Sequence, residues 1–236
     1  MDIGKSFGYV FEDQEWITKV LIGGAILLIP VIGQIVVIGY MLKVAQNIAQ
    51  GNPRPLPAWD WNEFGDHLMR GLYGFVVELV YFVPYIVVAV LFACVNVLLG
   101  AGSRSNAAST VGTLFACLLV PIYLITIFAC LCMAYAGLAR LVATNNLSEA
   151  LKFRDVFASV RSNSRPWLMM VLVSILAGLV AGLGLIACGI GVLFTAFYSY
   201  LIMGHALGQT VAQQGGVAGT YAPAPPPSYG PPPTYQ

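Results

Sequence analysis

Few residues of this 236-residue chain combine a reactive side chain with an unusual setting. Glu78 is the acid that lies well inside a long apolar run, residues 71–99. Charged groups inside a membrane are costly and are frequently functional. The favoured interpretation of Glu78 is a structural carboxylate that bonds to a neighbouring helix or reaches headgroup water. The alternative is a proton or cation site, with Tyr81 one helical turn away.

Asn96 and His205 are the other candidate polar residues within apolar segments. Such side chains commonly form hydrogen bonds between membrane helices, and we interpret both in this way rather than as ligands. The five cysteines also lie in apolar runs, and none forms a C-x-x-C pair, so we expect small buried hydrophobic residues.

The motifs of common enzyme classes are absent from the sequence. It contains no phosphate loop, no H-E-x-x-H zinc motif and no G-x-S-x-G nucleophile elbow. The two histidines, His67 and His205, have no neighbours at metal-ligand spacing. We therefore expect a non-enzymatic protein without a metal or cofactor.

The composition places the chain in a membrane. Apolar residues make up 58% of it and charged residues 9%, whereas soluble domains carry about 25% charged residues. The net charge of +1 excludes a strongly basic nucleic-acid surface. The fold class predicted is all-α, a polytopic helical membrane protein.

Apolar runs predict about six membrane segments in three hairpin-like pairs, because a helix needs roughly 20 apolar residues to cross a bilayer. Residues 71–99 and 110–138 form one pair, and residues 167–212 form another with a break at the glycine-rich stretch 182–191. Residues 17–42 are either one kinked span or a hairpin that turns near Pro30 with a short first arm. A weak internal similarity between the first and last runs favours the hairpin.

Glycine spacings in the last pair predict close helix packing. Gly178-x-x-x-Gly182 and Gly204-x-x-x-Gly208 have the required spacing. Contacts within one chain are the favoured interpretation, and contacts between two chains are the alternative.

Two amphipathic helices are predicted in the headgroup layer, near residues 59–72 and 149–164, within a helical membrane domain spanning residues 1–214. The apolar face of the first would contain Phe64, Leu68 and Leu72. We expect the lipid bilayer to be a partner, with anionic headgroups bound by four basic residues of the second helix. These residues are Lys152, Arg154, Arg161 and Arg165.

Basic residues predict the orientation of the chain. With six segments, ten of the eleven lysines and arginines fall on one side and Arg104 falls on the other. Both termini would then be cytoplasmic. Residues 215–236 are rich in Gly, Pro and Tyr and carry no charge, which predicts a disordered cytoplasmic tail.

A stretch around residues 11–84 carries a resemblance to a known family. It contains Ile29-Pro30-Val-Ile-Gly33, Asn47-x-x-x-Gly51 and Leu56-Pro57-x-Trp59-Asp60. These pieces resemble the uncharacterised prokaryotic multi-pass membrane proteins called domain of unknown function 4013, and the likeness could extend over residues 6–214. The resemblance implies a bacterial or archaeal cytoplasmic membrane and supplies no activity.

Two functions fit these patterns. The first is a non-enzymatic membrane scaffold or assembly protein, with protein partners or self-association. The second is a small transporter or channel, in which Glu78 and helices broken at Pro30, Pro84 and Pro121 would line a path.

Overall fold

The computed structural model describes residues 2–101, 106–186 and 189–215, with side chains for all of these except residues 96, 98–101 and 106–118. Within that part of the chain, nine α-helices form in order. They are α1 (Ile3–Gly8), α2 (Trp16–Ile26), α3 (Ile32–Ala49), α4 (Phe64–Ala101), α5 (Asn106–Thr144), α6 (Leu147–Ala150), α7 (Phe153–Ser162), α8 (Arg165–Leu183) and α9 (Gly191–Gln213). Short 3₁₀ turns follow α1 (Tyr9–Glu12) and α8 (Gly184–Ile186).

Five of the described helices are long and apolar enough to cross a membrane. The apolar composition and the length of these helices confirm the predicted polytopic helical membrane protein. The spans are Ile32–Ala49, Phe64–Val95, Leu119–Thr144, Arg165–Ile186 and Gly191–Gln213.

The first apolar run forms two helices, so the hairpin alternative is correct for residues 17–42. The chain turns between Ile26 and Ile32, and Val31 adopts a positive φ of 66°. Gly33 packs so closely on the carbonyl of Ile26 that a Cβ there would collide with it. The first arm, α2, has 11 residues and is therefore about 16 Å long, half of what a bilayer core requires. Five helices of spanning length and the short α2 thus make up the predicted set of about six segments.

The central hairpin is much longer than a bilayer requires. Helices α4 and α5 contain 38 and 39 residues, which corresponds to nearly 60 Å each. Both helices continue through an internal proline, Pro84 in α4 and Pro121 in α5.

The predicted interfacial helix near residues 59–72 is not a separate element. Residues from Phe64 onwards belong to α4, which continues unbroken into the span. Between Phe64 and Gly74 the buried positions are His67, Gly71 and Gly74, whereas Leu72 is 40% exposed. The glycines of α4 face α3, and the contact of Phe64, Leu68 and Leu72 with the headgroup layer stays a prediction.

Close helix crossings build the core of the bundle. Helices α3 and α9 run parallel, with Gly204 against Met41 and Gly208 against Ala45. This confirms the interpretation of that glycine pair as a contact within one chain. Gly178 and Gly182 of α8 have open space beside them.

The second predicted amphipathic segment forms α6 and α7. Val156 of α7 is fully buried, whereas Phe153 and Phe157 are 49% and 57% exposed. Arg140 of α5 pairs with Glu149 and Asp155 at 3.5 and 3.4 Å. The segment is therefore attached to α5 by one face and by ion pairs, and its depth in the headgroup layer stays a prediction.

Candidate functional site

Glu78 lies inside the bundle, where four helices bring polar groups together. The half-buried Glu78 of α4 is within electrostatic range of Tyr135 on α5 and Tyr200 on α9. Ser174 of α8 lies beside Tyr135. Ser174 is near the middle of the 19-residue α8, about 14 Å from its start, so this group lies near the middle of that span. Within the described residues, Glu78 accepts no hydrogen bond and forms no ion pair.

Four cavities in the described structure show which polar residues solvent can approach. The largest, about 690 Å³, lies beside α1 and is lined by Tyr9, His205 and Gln209. The others measure about 400, 310 and 10 Å³. None of the four is lined by Glu78, so a path to this carboxylate is not among them.

Hydrogen bonds of His205 connect the N-terminal helix α1 to α9. Its Nδ1 lies 3.0 Å from the Ser6 hydroxyl and 3.0 Å from Nε2 of Gln209. The Gln209 side chain also bonds the main chain of Asp2, accepting from its N–H at 2.6 Å and donating to its carbonyl at 3.1 Å. The Tyr9 ring lies 4.3 Å from the His205 ring. His205 thus connects α9 to the short α1, whereas its sequence setting predicts a hydrogen bond between two membrane helices.

Ser6 was not recognisable as a partner of His205, because 199 residues separate them. A serine hydroxyl beside a histidine is the arrangement that activates a nucleophile in many hydrolases. Here Ser6 is fully buried and its hydroxyl also donates to the carbonyl of Asp2 at 3.2 Å. The pair therefore attaches α1 to α9.

Residues 51–63 form a segment that we call the strap, and it contains the Leu-Pro-x-Trp-Asp motif. Three side chains of α2 and α3 donate to its main-chain carbonyls. Asn47 Nδ2 donates to Pro55 at 2.9 Å, Tyr40 Oη donates to Pro57 at 2.7 Å, and Lys19 Nζ donates to Leu56 at 3.3 Å. Because strap carbonyls inside an apolar bundle need donors, the motif and these three residues form one unit.

Trp59 and Lys19 connect the strap to α2. The Trp59 indole donates to the carbonyl of Lys19 at 3.1 Å and stacks on Tyr40 with ring centroids 4.5 Å apart. The Lys19 ammonium pairs with Asp13 at 2.7 Å. The strap is therefore joined to α2 by a hydrogen bond in each direction.

His67 lies beneath the strap in an aromatic cluster. It is 1% exposed, and its ring lies 5.5 Å from Tyr40 and 5.9 Å from Trp59. Neither ring nitrogen has a hydrogen-bond partner within the described part of the chain. Sequence reasoning placed His67 on an interfacial helix, whereas the structure buries it at the crossing of α4 with α3.

The other candidate residues from the sequence are Asn96 and the cysteines. The side chain of Asn96 lies outside the described residues. Cys130 and Cys132 are buried as predicted, whereas Cys94 is exposed; Cys117 and Cys188 lie outside the described side chains. Among the described residues, no group of three or more His, Cys, Asp or Glu side chains could hold a metal ion.

A family model described as protein of unknown function (DUF4013) matches residues 22–190. The chain belongs to this family. The DUF4013 match includes the strap and Glu78 but ends before α9, so His205 and its contacts with α1 lie beyond it. It also begins after Phe11 and Trp16, and is thus shorter than the 6–214 range that the resemblance implied. Comparison with curated proteins and with solved structures gives no significant match.

Proposed function

We propose that this protein is a non-enzymatic membrane scaffold, a rigid helical platform that assembles other components at the bilayer. The proposal rests on one observation: buried polar side chains donate hydrogen bonds to main-chain carbonyls. These bonds attach non-helical segments and neighbouring helices to the bundle. The donor and acceptor pairs are Tyr9 to Leu201, Tyr40 to Pro57, Asn47 to Pro55, Tyr81 to Ala150 and Ser199 to Ala177.

This use of polar groups favours a platform over an enzyme. An active site needs an acid, a base or a nucleophile that faces a substrate. In the largest cavity, the Tyr9 hydroxyl is held by Leu201, and Nδ1 of His205 contacts Ser6 and Gln209. These groups are occupied by structural hydrogen bonds, which supports a role without chemistry.

Helix continuity supports the same proposal. Transporter sites are commonly formed by discontinuous helices whose free ends face the substrate. Here α4 and α5 continue through Pro84 and Pro121, and Pro30 lies in the turn between α2 and α3. The prolines thus supply no pair of half-helices around Glu78.

The scaffold proposal predicts that the chain occurs in an assembly. Membranes containing the full chain would be treated with a membrane-permeant crosslinker, solubilised in a mild detergent and separated by native electrophoresis. We expect a discrete species larger than the purified chain in the same detergent. Migration as a lone chain before and after crosslinking would contradict the proposal.

A transporter or channel is the second candidate. It is favoured by Glu78, which has no hydrogen-bond or ion-pair partner among the described residues and is within electrostatic range of Tyr135 and Tyr200. Proton and solute flux would be measured in proteoliposomes with the wild-type chain, Glu78→Gln and no protein. We expect all three to be equal. A wild-type flux that Glu78→Gln abolishes would establish this candidate instead.

We propose further that the protein resides in the cytoplasmic membrane with a cytoplasmic C-terminus. The unequal distribution of basic residues supports this orientation. Reporter fusions next to Arg161 and Arg104 should fall on opposite sides of the membrane, and fusions on the same side would refute it.

A further inference from the structure

A cleft opens between the start of α8 and the end of α9, and we call it the hairpin cleft. Its volume is about 400 Å³. Its lining combines one cation, several amides and two apolar side chains: Asn163, Arg165, Pro166, Met169, Gln213 and Gln214.

The position of the hairpin cleft is at one membrane surface. Helix α8 begins at Arg165, α9 ends at Gln213, and both are of spanning length. The two helices are antiparallel neighbours, because Ser199 donates to the carbonyl of Ala177 and Thr195 donates to that of Ala181. The end of one span and the start of the other therefore reach the same headgroup layer.

The lining of the hairpin cleft favours an anion. Arg165 supplies a guanidinium, and Asn163, Gln213 and Gln214 supply amide donors, while no carboxylate is among the described lining residues. The cavities beside the N-terminal segment differ, since acids line both of them. An ammonium group, as in choline or ethanolamine headgroups, would have no counter-charge in the hairpin cleft.

The ion pairs of α6 and α7 leave the positive charge around the cleft uncompensated. Glu149 pairs with Arg140 and with Lys152, and Asp155 pairs with Arg140. The charge of Lys152 is therefore already paired within this segment. The three arginines of residues 152–165 form no ion pair within the described residues, namely Arg154, Arg161 and Arg165.

The exposed face of α7 extends this basic surface with an apolar residue. Phe157 is 57% exposed, and it shares a helix face with Arg154 and Arg161 at spacings of three and four residues. An aromatic ring between two arginines suits the boundary between headgroups and acyl chains.

We infer that the hairpin cleft binds the phosphate headgroup of an anionic phospholipid. Arg165 donates to the phosphate, the amides of Asn163 and Gln213 donate to phosphate or glycerol oxygens, and Met169 and Pro166 contact the start of the acyl chains. The inference depends on membrane insertion and not on the scaffold proposal, so it holds for a chain that assembles no partner.

Lipid retention by the full chain tests the inference. Purified protein in detergent is incubated with equal amounts of phosphatidylglycerol and phosphatidylcholine, and retained lipids are counted by native mass spectrometry. We expect wild type to prefer phosphatidylglycerol and Arg165→Gln to lose about fivefold of that preference. Lys152→Gln, which removes an equal charge that is already paired, should keep it.

Substitution of Gln213 gives a second test that does not depend on the Arg165 variant. Gln213→Glu should lower the preference for phosphatidylglycerol, and Gln213→Lys should raise it. An unchanged preference in Arg165→Gln and in both Gln213 variants would overturn the inference. An equal loss in Arg165→Gln and Lys152→Gln would also overturn it, because general surface charge would then be sufficient.

A separate arm distinguishes the lipid headgroup from free phosphate. Inorganic phosphate at millimolar concentration should not displace phosphatidylglycerol from the wild-type chain. Displacement that requires Arg165 would assign the cleft to a soluble phosphate and would overturn the lipid assignment.

Discussion

Replacing Gly71 by alanine should separate α3 from α4. A Cβ at Gly71 would lie well under 3.0 Å from the carbonyl oxygen of Ile35, a distance that real Cβ atoms do not show. A comfortable carbon–oxygen contact is about 3.3 Å, so the two helices must move apart by about 1.5 Å. No rotamer change can relieve this collision, because the opposing atom belongs to the backbone.

The decrease in the free energy of unfolding caused by Gly71→Ala follows from the loss of this close helix crossing. Overpacking of a well-packed core typically costs 1 to 3 kcal/mol, and a backbone collision should reach the upper end, about 3 kcal/mol. Gly65→Ala is the matched control in the same helix, because no atom lies within 4 Å of its Cβ position. Alanine there should stabilise α4 by up to about 1 kcal/mol.

Unfolding by sodium dodecyl sulfate in mixed micelles would measure both variants. The fluorescence of Trp59 and Trp167, which are half-buried and buried respectively, reports the transition. A free energy of unfolding for Gly71→Ala within about 0.5 kcal/mol of that for Gly65→Ala would refute the close crossing.

Two further predictions concern hydroxyl groups of buried tyrosines. Tyr40→Phe should lower the free energy of unfolding by about 1 to 3 kcal/mol, because the carbonyl of Pro57 loses its donor; Tyr73→Phe is the control, and an equal effect in both would contradict the role of the strap. Burial raises the pKa of Tyr9 well above its ordinary value of 10.0, so stability should be complete below pH 10.0 and decline as pH rises further. The free energy of unfolding should fall by at most about 1.4 kcal/mol per pH unit for one proton. This fall should be steeper in wild type than in Tyr9→Phe, and equal pH dependence in the two proteins would refute the role of Tyr9.

Hydropathy predicted the helices of this protein well where length and breaks decide the structure. The glycine-rich stretch at 182–191 ends α8 and precedes α9, because glycine does not support a continuing helix. Hydropathy does not decide the structure around Pro30, since one kinked span and a short hairpin have the same composition. The close contact of Gly33 with Ile26 shows the hairpin, and a contact between two turns cannot be inferred from hydropathy.

The side of α4 that packs on α3 could not be predicted from its apolar residues, for a physical reason. In water, apolar side chains mark the side of a helix that faces the core, but lipid is as apolar as a protein core. Leu72 therefore contributes no information about direction, whereas Gly71 permits the backbone of α3 to approach.

Composition alone determined that this chain belongs in lipid, because so few charges cannot cover a soluble surface. It also reduced the chemically interesting residues to a short set, with Glu78 and His205 among them. Only the tertiary structure decided what lies together: Ser6 with His205, the strap with α2 and α3, and Arg165 with Gln213 around one cleft. Those contacts join residues distant in sequence, and their geometry follows from how closely the helices pack, which no local pattern encodes.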